Sequence, residues 1–317
     1  MKEIIPKVPR EEIIAELTEK CFLRSTGKGG NQIYLVNNTS APRTVREIGR
    51  LREISFRMSG GGTGKELDLD NYDVSPDSPY EQLIAWDPDA QEIVAGYRLL
   101  FCRKAPRNNE GQLQTATTKL FAFSERFYKH YVDTTLELGR SFVQPLYQSK
   151  NHSPKAIYSL DNLWDGLGAV LNLNTDIDHF IGKVTMYPDY NREARNILQS
   201  FLHTVFPDEE YLARPIVPLI SPFELAPYHH LWANKAYKEA YALLNKMIRD
   251  RDENIPPMIN SYMNLSPSMK TFGTAANNAF GNVEETGIML HIGDIYEAKR
   301  QRYIDSYPQH ITFVPPA

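Results

Sequence analysis

The sequence predicts an α/β (α+β) fold in which a mixed, largely antiparallel sheet is flanked by helices. Two apolar segments at 81–87 and 92–102 are joined by the turn sequence DPDAQ, which predicts a β-hairpin early in the chain. Later strand candidates are separated by helical patterns. A doubly wound parallel sheet is not expected, because its strands would alternate with helices from the start.

Apolar residues at helical spacing and short apolar runs predict the individual elements. A basic amphipathic helix is expected at 43–58, where Val45, Ile48 and Leu51 share one side. Segments that contain proline or asparagine, such as 37–42 and Tyr187-Pro188, are expected to end these elements. The other predicted helices lie at 10–21, 120–131, 159–173, 191–206 and 230–251. Further predicted strands lie at 32–36, 135–143, 179–186 and 287–292.

The length and composition predict one large domain with extensions. The chain has 317 residues, of which 42% are hydrophobic, enough for a substantial core. We expect an N-terminal extension over 1–42 and a main domain over 43–295 with a helical insertion near 207–255. Residues 296–317 are expected to form a C-terminal tail.

Charge and cysteine content exclude several protein classes. The net charge of -4 gives no general attraction to nucleic acid. Only Cys21 and Cys102 occur, without a CxxC pair, which predicts reduced thiols in the cytoplasm. The first residues do not resemble a secretory signal, and no apolar run approaches the roughly 20 residues that span a bilayer. A cytoplasmic protein with at most peripheral contact at the inner face of the membrane is expected.

The strand candidate ELGRSFV at 137–143 contains the most informative charges. It presents Glu137 and Arg140 three residues apart within an apolar segment. Burying such charges is costly unless each has a partner, so residues of this kind are often functional. We therefore expect a functional strand here.

Several blocks of the chain share the spacing of one acyltransferase group. They comprise Arg52 with Phe56, Asp70 with Asp73, Arg98 in AGYRLL, Glu137 with Arg140, and the later segments IPPMINSYMNL and AFGNVEETGIML. In these blocks the chain resembles the GNAT superfamily, in the branch of the acyl-homoserine lactone synthases and the ornithine-lipid and glycine-lipid N-acyltransferases, often labelled hemolysin-like. The resemblance covers about residues 43–295.

The resemblance implies transfer of a fatty acyl group, with or without a 3-hydroxyl, to the amine of a small amino acid such as ornithine or glycine. This reaction would be the first step of aminolipid synthesis. The chain lacks the glycine-rich loop that binds the pyrophosphate of free coenzyme A, since the corresponding region begins QPLYQSKNHSP. Acyl carrier protein is therefore the expected donor, with the acyl-phosphopantetheine thioester as co-substrate and no bound cofactor. Its acidic surface would dock on Arg43, Arg46, Arg50, Lys150 and Lys155.

The same residues suggest specific chemical roles. Glu137 could accept the proton of the attacking amine if burial raised its pKa, or it could only pair with Arg140 or Arg98. These two arginines could instead orient the glutamate or hold the acceptor carboxylate. Asp70 and Asp73 could bind the amine, although pairing with Arg52 and Arg98 is the favoured interpretation.

Aromatic residues complete the predicted site. Phe56 is expected to contact substrate, and Phe142 is one of several aromatic side chains that could line an acyl tunnel; ordinary core packing explains them equally well.

Other motifs give weaker predictions. The run GGGTGK is not a P-loop, because Glu66 stands where a serine or threonine would bind magnesium; it predicts a flexible turn. The adjacent His229 and His230 point apart on a helix, and no metal site is expected. The alternatives to the N-acyltransferase are a coenzyme A-dependent acetyltransferase of a soluble amine and a non-catalytic membrane-active protein.

Overall fold

The architecture comes from a computed structural model that describes residues 1–76, 80–148, 154–219 and 222–307. The chain divides into two compact units. The first consists of Met1–Pro106, Leu136–Ile177 and the segment from Tyr296 onward, and the second consists of Arg107–Thr135 and Asp178–Ile295. The boundaries at 42 and 295 remain a prediction.

The first unit contains a five-stranded antiparallel arrangement in the order β1-β2-β3-β4-β6. Its elements are α1 (Arg10–Glu16), β1 (Phe22–Ser25), β2 (Gln32–Val36), α2 (Pro42–Met58), α3 (Asn71–Val74), β3 (Glu81–Asp87), β4 (Glu92–Phe101), β6 (Thr135–Val143, counted with this unit from Leu136), α5 (Ser159–Leu173) and α10 (Glu297–Arg300).

The core of the first unit lies between this sheet and α5. All ten residues of β4 are buried, including the charged residues Glu92 and Arg98. A Cβ atom at Gly166 of α5 would lie 2.8 Å from Leu83 of β3 and 2.9 Å from Ile33 of β2. The helix therefore approaches the strands closely because this position has no side chain.

Helix α2 places charged groups on its buried side. The Glu16 carboxylate accepts hydrogen bonds from the backbone N–H groups of Arg43 and Thr44, which completes the first turn of the helix. Arg52 and Glu53 are both fully buried. The helix predicted at 43–58 is confirmed, but its buried face is more strongly charged than the apolar periodicity indicates.

The glycine turn after α2 is tethered to the helix. The Glu53 carboxylate accepts hydrogen bonds from the N–H groups of Thr63 and Gly64 and from the Thr63 hydroxyl. Burial raises the pKa of Glu53, but these hydrogen bonds and the one from Arg57 lower it below its usual value overall. The predicted glycine turn is present and is tethered to α2 by this buried carboxylate, whereas its flexibility stays a prediction.

The second unit contains a three-stranded antiparallel arrangement in the order β7-β10-β9 and a separate antiparallel pair, β5 with β8. Its elements are β5 (Phe121–Phe123), α4 (Glu125–His130), β7 (His179–Met186), α6 (Arg192–Val205), β8 (Ala213–Pro215), α7 (Pro222–His229), α8 (Tyr237–Arg249), α9 (Pro257–Met263), β9 (Lys270–Asn277) and β10 (Val283–His291). The mixed, largely antiparallel fold class is confirmed.

Two predicted helices differ from the structure. The segment 120–131 begins as strand β5, because Phe121–Phe123 pairs with β8, and Ser124 then caps α4 by accepting a hydrogen bond from Phe127 N–H. The long helix at 230–251 is shortened to α8, since Asn234 adopts a left-handed conformation with φ of 61° before the helix begins.

The sequence prediction also missed strands whose pattern is weak. Strand β9 contains a glycine and several polar residues, and β1 has only four residues. Pairing with a neighbouring strand, and not local propensity, makes β1 and β9 regular. Helix α1, predicted at 10–21, ends at Glu16.

Candidate active site

Glu137 lies on β6 with its carboxylate inside the first unit. The residue pairs with Leu100 of β4, and its side chain is 1% exposed. Its Oε1 atom accepts a 2.8 Å hydrogen bond from the Tyr80 hydroxyl. A buried carboxylate that accepts from a neutral phenol, at the place where the sequence predicts a base, is the centre of the candidate site.

Two arginines and two aspartates form a buried charge cluster beside it. Arg98 Nη1 lies 3.0 Å from Asp70 Oδ2 and 3.0 Å from Asp73 Oδ2, and Arg52 Nη1 lies 3.1 Å from Asp73 Oδ1. Gln82 joins the cluster by accepting from Arg52 and donating to Asp73. We call Arg52, Asp70, Asp73, Gln82 and Arg98 the charge cluster.

The capping geometry of α3 holds the two aspartates in the charge cluster. Asp70 is the N-cap of this helix and accepts from the Tyr72 and Asp73 N–H groups, while Asp73 accepts from the Asp70 N–H. This reciprocal arrangement orients both carboxylates before they meet the arginines. The aspartate spacing noted in the sequence is thus the spacing of a capping box.

The pKa directions follow from burial and charge. Burial raises the pKa of Asp73, but the Arg98 and Arg52 guanidinium groups lower it far more, to well below its usual range. Burial lowers the pKa of Arg98, but Asp73 and Asp70 raise it well above its ordinary value overall. Burial lowers the pKa of Arg52 overall. Attraction to Asp73 does not offset the burial, because Arg52 shares this carboxylate with Arg98.

Arg140 lies in a distortion of β6. Gly96 pairs with Phe142 and Arg98 with Gly139, so β6 has one residue more than β4 between these pairs. Arg140 adopts a φ of 51° at this bulge, a conformation that costs a non-glycine residue about 1–2 kcal/mol. Its Nε atom lies 2.8 Å from Asp68 Oδ2, and burial raises the pKa of Asp68 while Arg140 opposes the shift.

The structure therefore assigns partners to each predicted charge. Asp70 and Asp73 pair with Arg98 and Arg52, as the favoured sequence interpretation stated. Glu137 accepts a hydrogen bond from Tyr80, and Arg140 pairs with Asp68. With Arg98 and Arg140 held by aspartates, a carboxylate-binding role for either would require opening an existing ion pair.

The predicted aromatic contacts are buried. Phe56 is 7% exposed and Phe142 is 4% exposed. A Cβ atom at Gly96 would lie 2.7 Å from the Phe142 ring, so this ring packs on the backbone of β4. Phe142 thus lies in the core, on the same strand as Glu137 and packed against β4.

The residues predicted to dock a carrier protein differ in their surroundings. Arg46 is exposed, and Arg43 is an exposed partner of Glu12. Arg50 donates two hydrogen bonds to the Glu47 carboxylate in a bidentate ion pair, and its side chain is only 14% exposed. Lys155 pairs with Asp87 and Asp89, and Lys150 lies outside the described residues. Arg43 and Arg46 are thus the exposed members of the predicted surface.

Sequence reasoning missed three residues of the site: Tyr80, Gln82 and Asp68. Gln82 was detectable as a polar residue inside the apolar strand β3. Tyr80 immediately precedes that strand, and Asp68 lies in the acidic segment LDLD before α3. Only the pairing of distant segments shows that Tyr80 meets Glu137, that Asp68 meets Arg140 and that Gln82 joins Arg52 to Asp73.

Other possible sites are less developed. Among the described residues no group of three or more histidine, cysteine or acidic side chains is arranged to hold a metal. In the same part of the chain no helix has the length and apolar character needed to cross a bilayer. A cavity of about 420 Å³ in the second unit is lined by residues including His179, His291 and Lys270, but by none of the predicted site residues.

The fold and the site define a class of protein that comparison with known families confirms. The family model described as Acetyltransferase (GNAT) domain matches residues 51–155, which include the charge cluster and Glu137. The chain is thus an acyltransferase of the GNAT type.

Full-length relatives identify the branch of this class. The chain is 45% identical to the glycine N(alpha)-acyltransferase of Phocaeicola vulgatus, over 97% of this chain and 94% of that protein. It is 47% identical to the glycine N(alpha)-acyltransferase of Bacteroides thetaiotaomicron, over 97% of this chain and 91% of that protein. It is 26% identical to the L-ornithine N(alpha)-acyltransferase of Rhizobium meliloti, over 84% and 79% of the two chains. The chain belongs to this family of amino acid N-acyltransferases.

The charge cluster gives a stability prediction. Asp73→Asn should lower the free energy of unfolding by about 3–5 kcal/mol, because two buried guanidinium groups lose their shared counter-charge. Urea unfolding followed by circular dichroism measures the change. Because the folded-state pKa of Asp73 is depressed, its contribution is present above the ordinary value of 3.8 and fades as the pH falls below it.

The matched control is Glu239→Gln at the exposed Lys235–Glu239 pair of α8. This change should alter the free energy of unfolding by less than about 0.5 kcal/mol. Equal unfolding midpoints for the two variants would show that the charge cluster does not stabilise the fold.

Proposed function

We propose that this protein transfers a long fatty acyl group from acyl carrier protein to the α-amine of glycine, as the first step in making an aminolipid. The observation that supports this most directly is the 45–47% identity to two glycine N(alpha)-acyltransferases along nearly the whole chain. The ornithine enzyme is 26% identical, which favours glycine as the acceptor.

The buried carboxylate supplies the base for this reaction. The amine of an amino acid is mostly protonated near pH 7 and must lose a proton to attack. Glu137, directly or through one water, accepts that proton. The amine nitrogen forms a bond to the thioester carbonyl carbon, and the C–S bond breaks. The nitrogen keeps one proton in the amide and gives up its second to the departing thiolate, so the carrier leaves as the thiol.

The charge cluster acts on the site indirectly in this proposal. Arg52 is fully buried and Arg98 is 2% exposed, and both are held by aspartates. Such groups are better suited to fixing the strands around Glu137 than to exchanging partners with each substrate molecule. Arg52, Asp73 and Arg98 are therefore assigned to shaping the site.

The choice of donor depends on the surface of α2. Acyl carrier proteins present acidic surfaces, and the exposed Arg43 and Arg46 lie one helical turn apart near the start of the helix. Complementary charge of this kind steers association more than it adds affinity. Peripheral contact with a membrane stays a prediction.

The first test is the product itself. Purified protein given palmitoyl-acyl carrier protein and an equal mixture of glycine and ornithine should form mainly N-palmitoylglycine, measured by mass spectrometry. Lipid extracts of cells that express the chain should contain the same acylglycine headgroup. Formation of N-palmitoylornithine alone would overturn glycine as the acceptor. Consumption of palmitoyl-coenzyme A but not of palmitoyl-acyl carrier protein would overturn acyl carrier protein as the donor.

The second test concerns the base. Glu137→Gln keeps the size of the side chain and its acceptor oxygen but removes the basic carboxylate. Turnover should fall by about 10²–10⁴-fold with an unchanged unfolding midpoint, as expected for loss of a general base. Glu239→Gln, far along the sequence on α8, serves as the activity control. Near-normal turnover of the Glu137 variant would refute the assignment.

The third test concerns carrier docking. Arg46→Glu should raise the KM for acyl-acyl carrier protein severalfold while leaving kcat and the KM for glycine unchanged, because it reverses an exposed charge outside the reacting groups. Lys238→Glu reverses an exposed charge on α8 of the second unit and should have no effect. Identical carrier KM values for the two variants would contradict a docking role for Arg46.

A further inference from the structure

Tyr80 occupies a special position relative to the proposed base. Its hydroxyl donates the 2.8 Å hydrogen bond to Glu137 Oε1, and both side chains are only 1% exposed. A hydrogen bond to an ionised group at a buried position is stronger than one between neutral groups. This contact therefore fixes the orientation of the carboxylate.

The tyrosine is itself held from several sides. Its backbone N–H donates to Tyr72 O at 2.9 Å, and the Tyr72 ring meets its ring edge-on with centroids 5.6 Å apart. The Arg98 guanidinium carbon lies 4.5 Å from the centre of the Tyr80 ring. Arg98 cannot move easily, because Asp70 and Asp73 both bind its Nη1 atom.

These contacts form a continuous chain from the helix cap to the base. The aspartates of α3 fix Arg98 of β4, Arg98 covers the ring of Tyr80, and Tyr80 directs its hydroxyl to Glu137 of β6. The arrangement gives Arg98 and its two aspartates, which are costly to bury, the role of holding Tyr80 in place. It also connects Asp70 and Asp73 to the orientation of the Glu137 carboxylate.

We propose that Tyr80 is a positioning residue of this enzyme, which holds the Glu137 carboxylate in the orientation needed to accept a proton. The inference rests on the proposed function of Glu137 as the base. A carboxylate oxygen can accept the phenol and still leave acceptor capacity for the incoming proton. Loss of the phenol hydroxyl would leave the base in place but with a less defined position and a greater tendency to bind a proton.

The variant Tyr80→Phe tests this directly, since it keeps the ring and its contact with Arg98 and removes only the hydroxyl. We expect kcat to fall by about 10–100-fold, the scale on which small displacements of a reacting group act. The KM for glycine should change less than twofold. The acidic limb of the pH–rate profile should move to higher pH, because a carboxylate without its hydrogen-bond donor protonates more easily.

A matched control removes a hydroxyl elsewhere. Tyr241 donates a hydrogen bond to Asn260 in the second unit, and Tyr241→Phe should leave kcat and the pH–rate profile unchanged. If Tyr80→Phe folds poorly, incorporation of 3,5-difluorotyrosine at position 80 retains the hydroxyl and makes it a stronger donor while it remains protonated. The acidic limb should then move to lower pH.

The outcomes separate the two proposals. If Glu137→Gln retains activity, the base assignment fails whatever Tyr80→Phe does. If Glu137→Gln is inactive but Tyr80→Phe or the fluorinated protein keeps the wild-type pH–rate profile and kcat, the positioning role is wrong and the base assignment stands. A lower unfolding midpoint with an unchanged pH–rate profile would make Tyr80 a packing residue only.

Discussion

Charge compensation around Asp73 is the constraint on which the geometry of the first unit depends. Its carboxylate is fully buried and shared by two arginines that are also buried. Four side chains lie nearest to it: Arg52 of α2, Asp70 at the N-cap of α3, Gln82 of β3 and Arg98 of β4. Since an unpaired charge at this position would be very costly, the four elements must keep a single mutual arrangement.

That arrangement places the Tyr80 phenol next to the proposed base. A carboxylate that accepts a hydrogen bond from a phenol keeps acceptor capacity for a proton. Arg98 pairs with Asp70 and Asp73, and Arg140 pairs with Asp68. These ion pairs are therefore separate from the hydrogen bond that orients Glu137.

The bulge in β6 contributes to the same separation. Without the additional residue, the strand after Gly139 would keep its alternation, and the side chains beyond it would exchange faces. The left-handed conformation of Arg140 allows Phe142 to pack on Gly96 while Arg140 itself reaches Asp68. Family membership establishes an acyltransferase, and this local distortion lies on the strand that contains the proposed base.

The sequence by itself determined the elements with strong periodicity and the main charged residues. Strands at 32–36, 135–143 and 179–186 and the helix at 159–173 were predicted with the bounds that the structure has, because apolar spacing and clear breaks define them locally. It also indicated that Asp70 and Asp73 would pair with Arg52 and Arg98. Only the tertiary structure decided that Tyr80 meets Glu137, 57 residues away, and that Arg140 meets Asp68. Those contacts depend on strand register and on a bulge, which are set by pairing between distant segments and leave little trace in local sequence.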